Sequence, residues 1–182
     1  MKSAIGLVEL SSIAKGIEVS DAMMKRAEIE IIVNRTICPG KYMVLIGGDV
    51  DAVNASIETG IELGGEEIVD QFIIPNVHSS IFPAISGINP VVDLKALGVI
   101  ESFSVASIIE AADAAVKSAS VELITVYLAM AIGGKGYVML TGDVASVQTA
   151  VETGAAAIKA KGLLVQKVVI PSPRKEILTN WI

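Results

Sequence analysis

The 182-residue chain has one cysteine and one histidine, and only 4% of it is aromatic. One cysteine excludes an internal disulfide and points to a reducing compartment. With no second histidine and no further thiols, spacing assembles no zinc set. Basic residues are not in excess either. The formal net charge is −6, so the chain lacks a footprint for a phosphate backbone and has few rings on which bases could stack. Nucleic acid is not indicated as a partner. The longest charge-free run, Gln71 to Val92, is broken by Pro75, Pro83 and Pro90 and carries Asn76, His78 and Asn89, which does not suit a lipid-facing helix. The more apolar run Leu123 to Gly134 is too short to span a bilayer and reads as a buried strand. Met1-Lys2-Ser3 leads straight into a strand-like pattern rather than a signal peptide. These absences predict a cytoplasmic protein with no membrane association. There is no Gly-x-Gly-x-x-Gly pattern, and in Ile132-Gly133-Gly134-Lys135 no Ser or Thr follows the lysine as a phosphate loop requires. Nothing here indicates an enzyme.

Aliphatic material is abundant, with 52% of residues hydrophobic, and it is organised as a repeat. Ala4-Ile5-Gly6-Leu7-Val8-Glu9 recurs as Ala96-Leu97-Gly98-Val99-Ile100-Glu101. At the same offset Asp21, Ala22 and Lys25 meet Asp113, Ala114 and Lys117. After a small insertion, Gly48-Asp49-Val50 meets Gly142-Asp143-Val144, Glu58-Thr59-Gly60 meets Glu152-Thr153-Gly154, and Ile74-Pro75 meets Ile170-Pro171. Ordered matches with small indels mark a tandem duplication, divided into residues 1–92 and 93–182.

Each copy reads alike. An apolar strand, Ala4–Leu10, precedes a helix carrying Asp21, Lys25 and Arg26 on its polar side. Two strands follow, near Glu30–Ile37 and Tyr42–Gly47. A second helix spans Val50–Leu63 with Asp49 as its N-cap, and a last strand, Glu67–Ile74, stops at Pro75. The order β-α-β-β-α-β predicts an α+β protein of two tandem ferredoxin-like domains. The proline-rich segment Asn76–Asp93 connects them, with a short helix around Ser79–Ile85. Alanines 111, 112, 114, 115, 155, 156 and 157 read as narrow helix faces for close packing on the sheets.

Chemistry-bearing residues are few. His78 sits in the connection, where a lone histidine is ordinarily a structural hydrogen-bonder. The exception is Thr36-Ile37-Cys38-Pro39-Gly40-Lys41, between the two central strands. Pro39 fixes one backbone angle and Gly40 permits a positive φ, so the turn can be tight and hold Cys38 at its tip. Lys41 nearby would favour the thiolate. The second copy has Ala131-Ile132-Gly133-Gly134-Lys135 at this place and no cysteine. One thiol cannot hold an iron–sulfur cluster, which normally needs four, so Cys38 could contribute only where symmetry joins several copies.

The Gly-Leu-Val-Glu opening, the Asp-Ala-Met-Met-Lys helix, the Gly-Gly-Asp-Val helix start and the strand-terminal Ile-Pro resemble bacterial microcompartment (BMC) shell domains, one per repeat. The resemblance implies a flat trimer imitating the hexamers of single-domain shell proteins, with three first-repeat loops converging on the threefold axis. In tandem-domain members of this kind, including one from propanediol-utilisation compartments, the matching cysteine of each chain ligates one 4Fe–4S cluster in the central pore. Cys38 would then be the metal ligand, one cluster per trimer, with Ile37, Pro39, Gly40 and Lys41 shaping the pore rim. Ala131, Ile132, Gly133, Gly134 and Lys135 would surround it. Lys25 and Lys117 match the family's tile-edge lysine. Its strand-end Pro-Arg-Pro-His signature is degraded to Pro75-Asn76-Val77-His78 and Pro171-Ser172-Pro173-Arg174. His78 and Arg174 remain as edge contacts, while Asn76 and Ser172 replace the arginine.

The resemblance thus implies a homotrimeric shell tile that meets other shell proteins and carries electrons, or delivers its cluster to an encapsulated redox enzyme. A soluble ferredoxin-like trimeric sensor of small molecules is the alternative, since fold does not settle function. A redox enzyme using the Cys38 thiolate would need a partner base, which the sequence does not supply.

Overall fold

The computed structural model describes residues 4–87, 89–90 and 93–178. The Met1-Lys2-Ser3 lead-in, positions 88, 91 and 92 of the connection and residues 179–182 lie outside the described residues. The elements are β1 (Ala4–Leu10), α1 (Ile13–Arg26), β2 (Glu30–Ile37), β3 (Lys41–Gly48), α2 (Val50–Gly64), β4 (Ile68–Ile74), α3 (Ile81–Ser86), β5 (Ala96–Ser102), α4 (Val105–Ser118), β6 (Glu122–Leu128), β7 (Gly136–Gly142), α5 (Val144–Lys159) and β8 (Leu164–Pro171). Short 3-10 turns follow α2 at Gly65–Glu67 and close the described chain at Lys175–Leu178. The chain divides into two compact units. The first is residues 1–77 with 104–107 and 128–135; the second is 78–103, 108–127 and 136–182.

The first unit is an antiparallel sheet of order β2-β3-β1-β4, the strand order that two crossed β-α-β halves produce. Strand alternation sends Ala4, Val8 and Leu10 of β1 and Val44 and Ile46 of β3 to one side. There they pack with Val19 and Met23 of α1 and Val53 and Ile57 of α2, all fully buried. Ser12 caps α1 by accepting the Lys15 N–H at 3.3 Å. Gly16 of α1 lies against Tyr42 of β3 so closely that a Cβ on it would stand 2.4 Å from the tyrosine Cβ.

The second unit repeats the sheet as β6-β7-β5-β8, with α5 on the face that carries Ala96, Gly98 and Ile100. At the place of the Gly16–Tyr42 contact the sizes are exchanged. Ile108 now comes from the helix, and a Cβ on Gly136 of the strand would meet its Cγ2 at 2.6 Å. Tyr127 and Tyr137 stack across β6 and β7 with ring centroids 5.1 Å apart. Asn89 in the connection donates its side-chain amide to the Leu123 carbonyl at 2.9 Å, and its backbone N–H bonds the Ile124 carbonyl at 2.8 Å.

Three local expectations need correction. The run from Leu123 to Gly134 is strand only as far as Leu128; beyond it Ala129, Ala131, Gly133 and Gly134 take positive φ, which no ladder accommodates. Asp49 stands at the N-cap of α2 but makes no side-chain cap bond. Its counterpart Asp143 does cap α5, accepting the Ser146 N–H and hydroxyl at 2.9 and 2.8 Å. Those two bonds, the backbone one foremost, hold the Asp143 carboxyl below its ordinary range. Among the alanines, 111, 112, 115 and 155 are buried, whereas 156 and 157 are exposed on the outer side of α5, because the 3.6-residue period turns them away from Gly154 and Ile158.

Candidate functional site

The β2–β3 hairpin closes over Cys38-Pro39-Gly40, with Ile37 and Lys41 as the last register pair. Gly40 donates its N–H to the Ile37 carbonyl at 3.0 Å and holds φ at +96°, a value that L side chains disfavour. Cys38 follows through a cis peptide to Pro39. Its thiol is free and half-buried, while Pro39 and Gly40 are exposed and Ile37 is buried.

A second loop, Ala129–Lys135, belongs to the same compact unit and braces the hairpin from behind. The Cys38 N–H donates to the Ala129 carbonyl at 3.2 Å. Gly134 is packed against the hairpin backbone, where a Cβ would lie 2.6 Å from the Cys38 carbonyl oxygen and 2.8 Å from Pro39 Cδ. The brace itself is strained, because Ala129 and Ala131 hold positive φ at 54° and 60°, about 1–2 kcal/mol each for a residue with a Cβ. The structure therefore brings the two sequence-predicted loops together around Cys38. Lys135 closes its turn through its N–H to the Ile132 carbonyl at 3.4 Å.

Lys41 is placed differently from a rim charge. Its ammonium bonds Oε1 of Glu9, whose side chain is wholly buried. Glu9 Oε2 accepts the Ser104 hydroxyl at 2.9 Å and the Val105 N–H at 3.0 Å, so the carboxylate sits on the first turn of α4, where unsatisfied N–H groups and the helix dipole favour an anion. Asp70, in register with Glu9 on the neighbouring strand, accepts the Ser107 hydroxyl at 2.6 Å and has its Oδ2 2.5 Å from the Ser104 oxygen, so the one Ser104 proton is shared between the two carboxylates. Two buried carboxylates side by side would repel; one ammonium, two hydroxyls and the helix start offset that. Sequence reading missed this cluster. Its signal was present, in a glutamate set within an apolar strand and repeated at Glu101.

The edge candidates each make contacts of their own. Lys25 is 74% exposed and paired with Asp21 at 2.5 Å. Lys117 bonds Asp113 at 2.5 Å, and that buried carboxylate also accepts the His78 backbone N–H at 2.8 Å. The His78 ring meets the Ser80 hydroxyl at 2.8 Å, a structural arrangement. Arg174 is exposed beyond β8. Among the described residues no three His, Cys, Asp or Glu side chains group to hold a metal ion, and no helix is long and apolar enough to cross a membrane.

Comparison with known proteins agrees with this architecture. The BMC domain model matches residues 4–77 and 96–173. The bacterial microcompartment shell protein PduT of Citrobacter freundii is 48% identical over 182 residues, covering 100% of this chain and 99% of that one. The carboxysome shell protein CsoS1C of Halothiobacillus neapolitanus is 35% identical over 81 residues, 43% of this chain and 83% of its own. A crystal structure of a microcompartment protein from Desulfitobacterium hafniense superposes with a TM-score of 0.86 at 48% identity, covering 97% of this chain and 98% of that one. With both repeats matched and its full length aligned, the chain belongs to the BMC-domain family, as a structural shell protein with two such domains in tandem that is closely related to PduT.

Proposed function

We propose that this shell tile is a homotrimeric pseudohexamer in which Cys38 of three chains holds one 4Fe–4S cluster at the central pore. The observation that carries the reading is how the sole thiol is presented. Cys38 stands half-exposed at a three-residue hairpin tip, with its N–H on Ala129 and its carbonyl against Gly134. One chain offers one thiolate, so a ligand set is complete only where a threefold axis gathers three, and one iron is left for a non-cysteine ligand.

A bound cluster would supply one-electron transfer across the shell wall or be handed to an encapsulated redox enzyme. The chain's own part is to fix Cys38 in place. Pro39 and Gly40 form the exposed rim, the Ala131–Lys135 loop supports it without ligating, and Lys41 anchors the hairpin base on Glu9. Lys25, Lys117, His78 and Arg174 would meet neighbouring tiles in a compartment within the cytoplasm.

Native mass spectrometry of protein purified without oxygen, beside a Cys38→Ser variant, tests this. A trimer carrying the mass of four irons and four sulfides, absent from the variant, is expected. An anaerobic trimer without that mass would reduce Cys38 to a pore-lining thiol, and a monomer would overturn the tile architecture.

A further inference from the structure

Lys41 opens the strand that leaves the Cys38 hairpin, and its stem runs along the brace behind that hairpin. A Cβ on Gly134 would lie 2.6 Å from the Cys38 carbonyl oxygen and 3.2 Å from Lys41 Cε. Cys38 and the far end of the lysine side chain therefore flank the same glycine. An ammonium on that stem has two acceptors of charge to serve, the Cys38 sulfur and the Glu9 carboxylate. It sits on Glu9 Oε1, with only 17% of the lysine side chain open to solvent.

Glu9 is held in place for this contact. Its side chain is wholly buried, and its other oxygen is occupied by the Ser104 hydroxyl at 2.9 Å and the Val105 N–H at 3.0 Å. Asp70, in register beside it, adds a second carboxylate next to the first. That deepens the well in which the ammonium rests, because little water is present to screen the attraction.

We infer that Glu9 is a positioning residue that withholds the Lys41 ammonium from Cys38, leaving the sulfur without the cation that the chain carries three residues further on. The inference rests on the reading of Cys38 as a cluster ligand and names the residue that sets the charge around it. A cation beside an iron–sulfur cluster favours the reduced, more negative state, and local charge is one of the levers on its potential. By holding Lys41 back, Glu9 keeps that potential low.

Two alkylating reagents report the charge at the sulfur. Iodoacetate is an anion and iodoacetamide is neutral, while in both the thiolate displaces iodide from the same carbon. Their rate ratio thus cancels thiolate fraction and access. Cluster-free wild type is compared with Glu9→Gln, Lys41→Met, Lys41→Arg and the double variant Glu9→Gln, Lys41→Met, each checked by circular dichroism. Glu9→Gln frees the ammonium and should raise the iodoacetate-to-iodoacetamide ratio about 2-fold or more, the effect of one unit charge within a Debye length. Lys41→Met leaves the carboxylate alone and should lower the ratio by a similar factor. The double variant and Lys41→Arg keep the local charge and should match the wild type.

A hairpin that is merely loosened would speed both reagents together. Unchanged ratios in both single variants, or shifts in the same direction in both, would therefore overturn the inference. Where a single variant does not fold, the wild type decides: a ratio that falls as salt is added would show a free cation at the sulfur and overturn the inference, whereas a ratio that does not fall supports it. In protein loaded with iron and sulfide, the midpoint potential should rise in Glu9→Gln and fall in Lys41→Met. Failure of every protein to load, the wild type included, would overturn the cluster reading, while the alkylation ratios would still decide the role of Glu9.

Discussion

Gly134 supports Cys38 through backbone contact alone: there is no room for a Cβ between it and the Cys38 carbonyl oxygen, 2.6 Å from where that atom would sit. Gly134 is in the second repeat and Cys38 in the first, so the loop without a thiol sets the position of the loop that has one. Gly134→Ala, at φ +82° and against backbone that cannot swing aside, should destabilise by about 2 kcal/mol or more and speed alkylation of Cys38 by iodoacetamide. Gly133→Ala, at φ +66° with open space around it, should cost only about 1 kcal/mol and leave the alkylation rate unchanged. Urea titration and thiol kinetics on both variants check this.

Removing the Lys41 ammonium strands a carboxylate that has no access to water. Lys41→Met should cost about 3–5 kcal/mol, the usual penalty for breaking a buried pair by one partner. The double variant Glu9→Gln, Lys41→Met should recover part of that loss, because the amide carries no charge. Equilibrium unfolding of the three proteins is the measurement; a double variant weaker than the single one would contradict the pairing.

Ser20 has a buried hydroxyl without a hydrogen-bond partner among the described residues, and the second repeat carries Ala112 at that place. Ser20→Ala should therefore be neutral or stabilising by about 1 kcal/mol, contrary to the usual sign for a buried serine. A thermal melt decides it.

The two aspartate caps should differ. Asp143 has a folded-state pKa below its unfolded value, so its contribution is present above the ordinary carboxylate range and is lost as the pH falls through the lowered folded value. Asp143→Asn should flatten that acid limb of the stability profile. Asp49→Asn, at a cap with no side-chain bond, should cost less stability at neutral pH than Asp143→Asn.

Periodicity and repetition made most of the fold readable. Helix and strand boundaries in the first repeat lie within a few residues of those expected, and β4 ends before Pro75 as its missing N–H requires. What the sequence hid depends on tertiary neighbours. The end of β6 at Leu128 is set by Ala129 and Ala131, which carry no turn signature and adopt positive φ only because the loop must fold back to Cys38. Lys41 looked like a charge for the thiol because the two are close in sequence. The ladder carries its ammonium to Glu9 instead, more than thirty residues earlier in the chain. The hairpin tip with Cys38 was legible from Pro39 and Gly40; the buried carboxylates beneath it were not, since Asp70 and Ser104 meet only in three dimensions.

The exchange of Gly16 and Tyr42 for Ile108 and Gly136 has a consequence for the history of the chain. After duplication, each half settled its helix–strand contact in its own way, bulk on the strand in one and on the helix in the other. Recombination between the halves would now be penalised. Moving the α4 segment into the place of α1 would set an isoleucine against Tyr42, an overpacked contact costing about 1–3 kcal/mol. The reciprocal move would set glycine against glycine and open a void costing about 2–5 kcal/mol. Each half is thus matched to its own helix and strand, and an exchange of either element between the halves would weaken the contact on which that half closes.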